Sequence, residues 1–167
     1  PSLCAHCVFI SDEDMDIMAE KGSSALHNPG SNLKLGSGFA NVPLMLKKGV
    51  NVTLGTDGAA SNNNLSMFEE MQLAALIHKA NTNDATVVNA AQVLAMATVN
   101  GAKAFGWNTG ALTAGKYADI VLVDNRQPHM QPMNNALNNT IYSAQFTDVY
   151  MTMCRGKVLY KDGEYLT

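Results

Sequence analysis

Short apolar runs alternate with amphipathic stretches over the first two-thirds of the chain. Leu3 to Phe9 reads as a strand, and Ser11 then opens a helix as its N-cap. Asp12, Glu13 and Asp14 fill the first turn, where acids suit the positive end of the helix dipole. Ile10, Met15, Ile17 and Met18 make the apolar stripe, and Gly22 stands where a C-terminal stop belongs. Ser23 to His27 is the next strand, and Asn28-Pro29-Gly30-Ser31-Asn32 reads as a polar loop. Val42 to Lys48 forms a helix ending at Gly49, and Val50 to Thr56 is the third strand. The strands start about 20 and then about 27 residues apart, the length of a strand plus a crossover helix, so a parallel sheet is expected. Periodicity alone leaves a doubly wound sheet and a barrel equally open.

Helical spacing returns at Leu65 to Ala80, with Leu65, Phe68, Met71, Leu76 and Ile77 as its apolar positions. Val87 to Thr98 and Asn100 to Phe105 are shorter, alanine-rich helices. Beyond Gly106 the pattern changes. Gly110 to Lys116 is turn-rich, Ala118 to Asp124 is a β run, and Thr147 to Cys154 with Lys157 to Tyr160 predict a hairpin around Arg155-Gly156. A loop with Pro128, Pro132 and several asparagines lies between them. Two units are expected: β/α units with their following helices over 1–110, and a small β module over 111–167.

Composition narrows the class. The 167 residues are 47% apolar and 15% charged, enough for a buried core and unlike a disordered tail. A net charge of −3 offers no broad footprint for nucleic acid or an anionic membrane, and no run approaches the roughly 18–20 apolar residues of a membrane span. Cys4-Ala5-His6-Cys7 matches C-x-x-C formally, but no second cysteine pair accompanies it. Cys4, Cys7 and Cys154 are therefore expected as reduced core thiols of a cytoplasmic protein. The ten methionines read as gap-filling core. The chain opens Pro1-Ser2-Leu3-Cys4, without Met and already inside a strand, so a processed or truncated product is expected.

His6, His27 and Asp57 each stand at or near the C-terminal end of a predicted strand. Parallel neighbours would bring them to one rim, where open α/β sheets and barrels place their chemistry. A carboxylate beside one or two imidazoles is the set needed to bind a divalent metal and move a proton from its water. Any single histidine is as often a hydrogen-bonded core or loop residue. Three polar residues at corresponding strand ends weigh toward a site. His78 is expected on a helix surface and His129 in a polar loop, neither with a chemical role. Gly36-Ser37-Gly38 is too short for a nucleotide-binding fingerprint.

Three blocks carry a family resemblance: Ala5-His6-Cys7, Ala25 to Leu35, and Leu54-Gly55-Thr56-Asp57-Gly58-Ala59-Ala60-Ser61-Asn62-Asn63. Together they resemble the amidohydrolase superfamily, in the branch of S-adenosylhomocysteine, methylthioadenosine and adenosine deaminases. Ala118 to Asp124 and Arg155-Gly156-Lys157-Val158 resemble that family's small β domain. The resemblance implies an α/β fold, the C-terminal part of a (β/α)8 TIM barrel plus part of a β-sandwich. It implies one divalent metal, zinc foremost with iron or manganese as alternatives, and attack of metal-bound hydroxide on an adenine-type ring. Asp57 matches the carboxylate that ligates the metal and contacts the hydrolytic water and substrate, and His6 matches the histidine that polarises that water. No role is assigned to His27 to Asn32.

The family's H-x-H pair, its further metal histidine and its H-x-x-E block have no counterpart here. A fragment, inactive alone, is the expectation. A homo-oligomer or a missing N-terminal part would complete it around a small nucleoside substrate, with no nucleic acid or membrane partner. A related aminohydrolase or chlorohydrolase acting on another nitrogen heterocycle remains an alternative. So does a non-catalytic α/β interaction module.

Overall fold

In the computed structural model, which describes residues 2–166, strand β1 (Leu3–Ala5) leads into helix α1 (Asp12–Lys21). Ser11 caps that helix reciprocally: its hydroxyl accepts from the Asp14 N–H, and the Asp14 carboxylate accepts from the Ser11 N–H. Gly22 ends it at φ 66°, the left-handed turn that glycine adopts without a Cβ penalty. Then come β2 (Ser24–His27), α2 (Pro29–Lys34), α3 (Val42–Lys47) and β3 (Asn51–Leu54).

The three strands form a parallel sheet in the order β1-β2-β3, with Cys4 opposite Ala25 and Ala25 opposite Val52. The central and third strands are buried along most of their length, as a sheet covered on its faces requires. Among the described residues β1 and β3 pair only with β2, so both outer edges of the sheet are open.

Two expectations change here. The apolar run through Phe9 does not continue the first strand, because His6 and Cys7 turn into left-handed conformations at φ 64° and 51° and leave Phe9 exposed. The Asn28–Asn32 segment is not a loop. Pro29 occupies the first helical position, where its fixed φ and missing N–H cost nothing, and α2 starts there.

Past β3 the chain makes a four-residue helix, α4 (Ala59–Asn62), and then α5 (Met67–Thr82), α6 (Ala90–Ala97) and α7 (Val99–Phe105). The buried face of α5 consists of Glu70, Met71, Ala74, Ala75 and His78, while Leu65 and Leu76 from the expected stripe lie exposed. An antiparallel sheet follows, formed by β4 (Ile120–Val123), β5 (Val149–Cys154), β6 (Lys157–Lys161) and β7 (Glu164–Tyr165) in that order. The long connection between β4 and β5 holds helix α8 (Ala136–Tyr142), where a plain loop is expected. Ile141 of α8 enters the same core as Met15, Met45, Met71 and Met96, so methionine does fill the interior. Of the cysteines only Cys7 is fully buried, and Cys154, expected in a core, is exposed at the end of β5; none is bridged. No helix among the described residues is long and apolar enough to cross a membrane.

Candidate active site

Asp57 stands three residues past β3, in a left-handed conformation at φ 61°. Its Oδ2 accepts from the hydroxyls of Ser31 on α2 and Ser61 on α4, each at 2.7 Å. Those two bonds, with the Gly58 backbone amide and the nearby His6 ring, hold the carboxyl pKa down at about 2. Asp57 is therefore ionised at any physiological pH.

His6 follows β1 and is also left-handed. Its Nδ1 lies 2.9 Å from Asn32 Oδ1, and its Nε2 lies 3.9 Å from Asp57 Oδ2. An amide oxygen at Nδ1 makes that nitrogen the donor, which leaves Nε2 as the free nitrogen beside Asp57. Both side chains are partly open, 42% and 34% exposed, at the C-terminal ends of parallel strands. The sheet thus brings the expected pair together.

The groups that hold this pair were not legible as functional. Ser31 and Asn32 are buried on α2, which polarity alone assigns to a loop. Behind them Glu70 on α5 is almost fully buried; its Oε2 accepts the Gly30 N–H at 2.9 Å and its Oε1 accepts Asn62 Nδ2 at 2.7 Å. Burial raises the Glu70 pKa, against the lowering effect of those two bonds. The one sequence signal for this layer is Pro29, which marks a helix start.

His27 does not join the rim. It points into the helical layer, where its Nε2 lies 3.0 Å from His78 Nε2. One ring must donate and the other accept, so the two cannot both be protonated. Burial, followed by the His78 and His6 rings, pushes the His27 pKa down to about 3, and burial with neighbouring Lys79 pushes His78 down to about 4. Both rings are almost completely buried, so the surface position expected for His78 is wrong. Its place at the end of the 70, 71, 74, 75, 78 stripe of α5 is the reason. His129 does lie in a partly exposed turn, where its Nε2 is 2.8 Å from the buried Asp148 carboxylate.

No three His, Cys, Asp or Glu side chains among the described residues are grouped so as to hold a metal ion. Asp57 and His6 offer one carboxylate and one imidazole. Those donors suit zinc in kind but fall short of the three protein ligands of a catalytic zinc site. The orienting bond from His6 Nδ1 to Asn32 is what a ligating or water-contacting imidazole requires. The pair fits a metal as part of a ligand set.

The amidohydrolase family model matches residues 2–159. The chain is 48% identical over 163 residues to a 5'-deoxyadenosine deaminase of Methanothermobacter thermautotrophicus, covering 98% of this chain and 38% of that protein. It is 52% identical over 169 aligned positions to a 5-methylthioadenosine/S-adenosylhomocysteine deaminase of Acetivibrio thermocellus, covering 100% of this chain and 39% of the relative. An adenosine deaminase from Xanthomonas campestris, solved with bound zinc, superposes with a TM-score of 0.95 at 39% identity, over 98% of this chain and 38% of that one. The chain thus spans under two-fifths of the length of the proteins it matches.

Proposed function

This chain belongs to the amidohydrolase family, and we propose from that premise that it forms the C-terminal part of a hydrolytic deaminase of adenine-type nucleosides. Residues 1–110 supply the last β/α units of a (β/α)8 barrel, and 111–167 supply part of a small β-sandwich. S-adenosylhomocysteine, methylthioadenosine, 5'-deoxyadenosine or adenosine is the substrate. The observation that carries the proposal is the pairing of an ionised, doubly serine-bonded Asp57 with His6 Nε2 at the C-terminal rim of a parallel sheet. The open edges of β1 and β3 support a larger working unit, since unpaired strands are an aggregation hazard unless covered.

In this reading water adds to C6 of the adenine ring and ammonia leaves. Asp57, with a pKa near 2, is too weak a base to drive the proton transfer alone. Its part is to ligate through carboxylate oxygen and to accept a hydrogen bond from the attacking water, fixing its direction. His6, oriented by Asn32, presents Nε2 to that water or to the developing charge. When bound, a divalent metal such as zinc brings the pKa of water near neutrality and polarises the bond under attack. Asp57 and His6 would hold or face it, and the remaining ligands would come from the preceding part of a longer chain.

The test joins this chain to the N-terminal portion of the Acetivibrio thermocellus relative and measures ammonia release from adenine nucleosides and guanine, and chloride release from chlorotriazines. Turnover of an adenine nucleoside is expected, falling by at least about a hundredfold in Asp57→Asn. Turnover confined to guanine or a triazine would move the assignment to another heterocycle. No turnover of any substrate by a folded, metal-loaded protein would defeat it.

A further inference from the structure

We infer that Glu70 is a positioning residue for Asp57, a buried carboxylate that clamps together the two short helices carrying the serine partners of Asp57. The inference rests on the reading of Asp57 as the catalytic carboxylate of the rim. Ser31 lies on α2 and Ser61 on α4, and both donate to Asp57 Oδ2. These helices have six and four residues, too few for intrahelical bonding alone to fix their place. Glu70 projects from the sixteen-residue α5 beneath them. Its two oxygens take the N–H of Gly30, the residue before Ser31, and the amide of Asn62, the residue after Ser61. One side chain thus sets the separation of the two hydroxyls that aim Asp57.

Two further details fit a clamp better than a general filler of the core. A Cβ built on Gly30 would lie 2.2 Å from Glu70 Oε1, so only glycine lets the backbone come this close. Asn62 cannot turn its amide over freely, because its Oδ1 accepts the Leu65 N–H at 3.0 Å and keeps Nδ2 aimed at Glu70. The arrangement is therefore directional: two donors converge on two acceptor oxygens. Glutamine has the size of glutamate but would set its own N–H against one of those donors.

That directionality supplies the experiment. Three variants are compared with the parent: Glu70→Gln, Asn62→Asp, and the double E70Q/N62D. The double variant rebuilds the pattern with the acid moved across. Its new carboxylate at position 62 accepts from the new side-chain amide at position 70 and from the Leu65 N–H. The amide oxygen at position 70 in turn accepts from Gly30. Hydrogen exchange is read at the backbone amides of positions 30, 61 and 62 in the 167-residue chain. The Gly30 amide is informative because, in the first turn of α2, it has no intrahelical acceptor. In the chain joined to the relative's N-terminal portion, kcat and KM for the nucleoside are read as well.

Glu70→Gln, which sets an N–H against a donor, is expected to speed exchange roughly tenfold at position 30, and Asn62→Asp, which replaces the donor to Glu70 by a second carboxylate, roughly tenfold at positions 61 and 62. Each should also lower kcat about tenfold with KM within about twofold. The double variant should bring both readouts back to within about threefold of the parent. Singles that change neither readout, or a double no better than the worse single, would overturn the inference. Rescue is the outcome that a merely stabilising carboxylate would not produce. A parent without deaminase activity would sink the proposed function, and the exchange cycle would still decide the clamp. An active parent whose kcat ignores the cycle would sink the clamp alone.

Discussion

Acidification from about pH 7.5 to about pH 5 challenges the buried pair of His27 and His78 directly. In the unfolded chain each imidazole has its ordinary pKa of 6.5 and is almost fully protonated at the lower pH, whereas in the fold the two are held at about 3 and about 4 and stay neutral. The unfolded state therefore binds more protons throughout this window, and stability falls as the pH falls. Each imidazole contributes roughly 1.36 kcal/mol per pH unit below 6.5, or about 2 kcal/mol at pH 5, and the pair about 4 kcal/mol.

The groups facing the pair leave the sign unchanged. Lys79, beside His78, and His6, near His27, both oppose protonation of the pair. Asp57 remains ionised across the window, and Glu70, whose pKa is raised, offsets part of the loss by taking up its proton earlier in the fold. Urea unfolding at the two pH values measures the difference, and the ring C2 protons followed by NMR report which imidazoles titrate. A difference under about 1 kcal/mol, with either native ring titrating near 6.5, would refute the neutral-pair reasoning.

Gly30→Ala sets helix propensity against packing. Alanine should gain up to about 1 kcal/mol in a helix, yet its Cβ would displace a buried carboxylate and break charge-assisted bonds, so a net loss of roughly 2 kcal/mol and about 4–8 °C in Tm is expected by calorimetry. A variant as stable as the parent would show that Glu70 moves aside at no cost. Ser61→Ala removes the largest influence on the Asp57 carboxyl, so its titration midpoint, read by carbon NMR of the side chain, should rise from about 2 toward 3.8. A midpoint left in place would show that Ser31 and Gly58 suffice.

The β/α alternation was legible because each strand is a short apolar run and each helix start carries its own chemistry. Ser11 followed by Asp14 is the clearest case, and the structure shows both halves of that cap. The rim pair was legible for a similar reason, since a lone polar residue after an apolar run marks a strand's end. What the one-dimensional pattern missed was polar material inside. The buried face of α5 includes Glu70 and His78, which hydropathy assigns to solvent, while Leu76 on the same helix is exposed. His27 misled in a related way. Its position at a strand end is right for the rim, but the two-residue alternation of the strand turns it with Ala25 toward the helices, where His78 supplies its partner. Helices α2, α4 and α8 escaped because each is short and interrupted by asparagine, with serine in the first two as well, and tertiary contacts rather than propensity decide such short elements.

The left-handed backbone at His6 and Asp57 bears on how such a chain would fare under directed evolution. A left-handed residue with a Cβ carries roughly 1–2 kcal/mol of strain that glycine avoids, and aspartate tolerates the region better than histidine does. A library screened for melting temperature or soluble expression alone would thus be drawn toward His6→Gly, which relaxes the turn and strips the imidazole from the rim. Thermostable winners from such a screen would be enriched in inert protein, unless selection for turnover ran alongside.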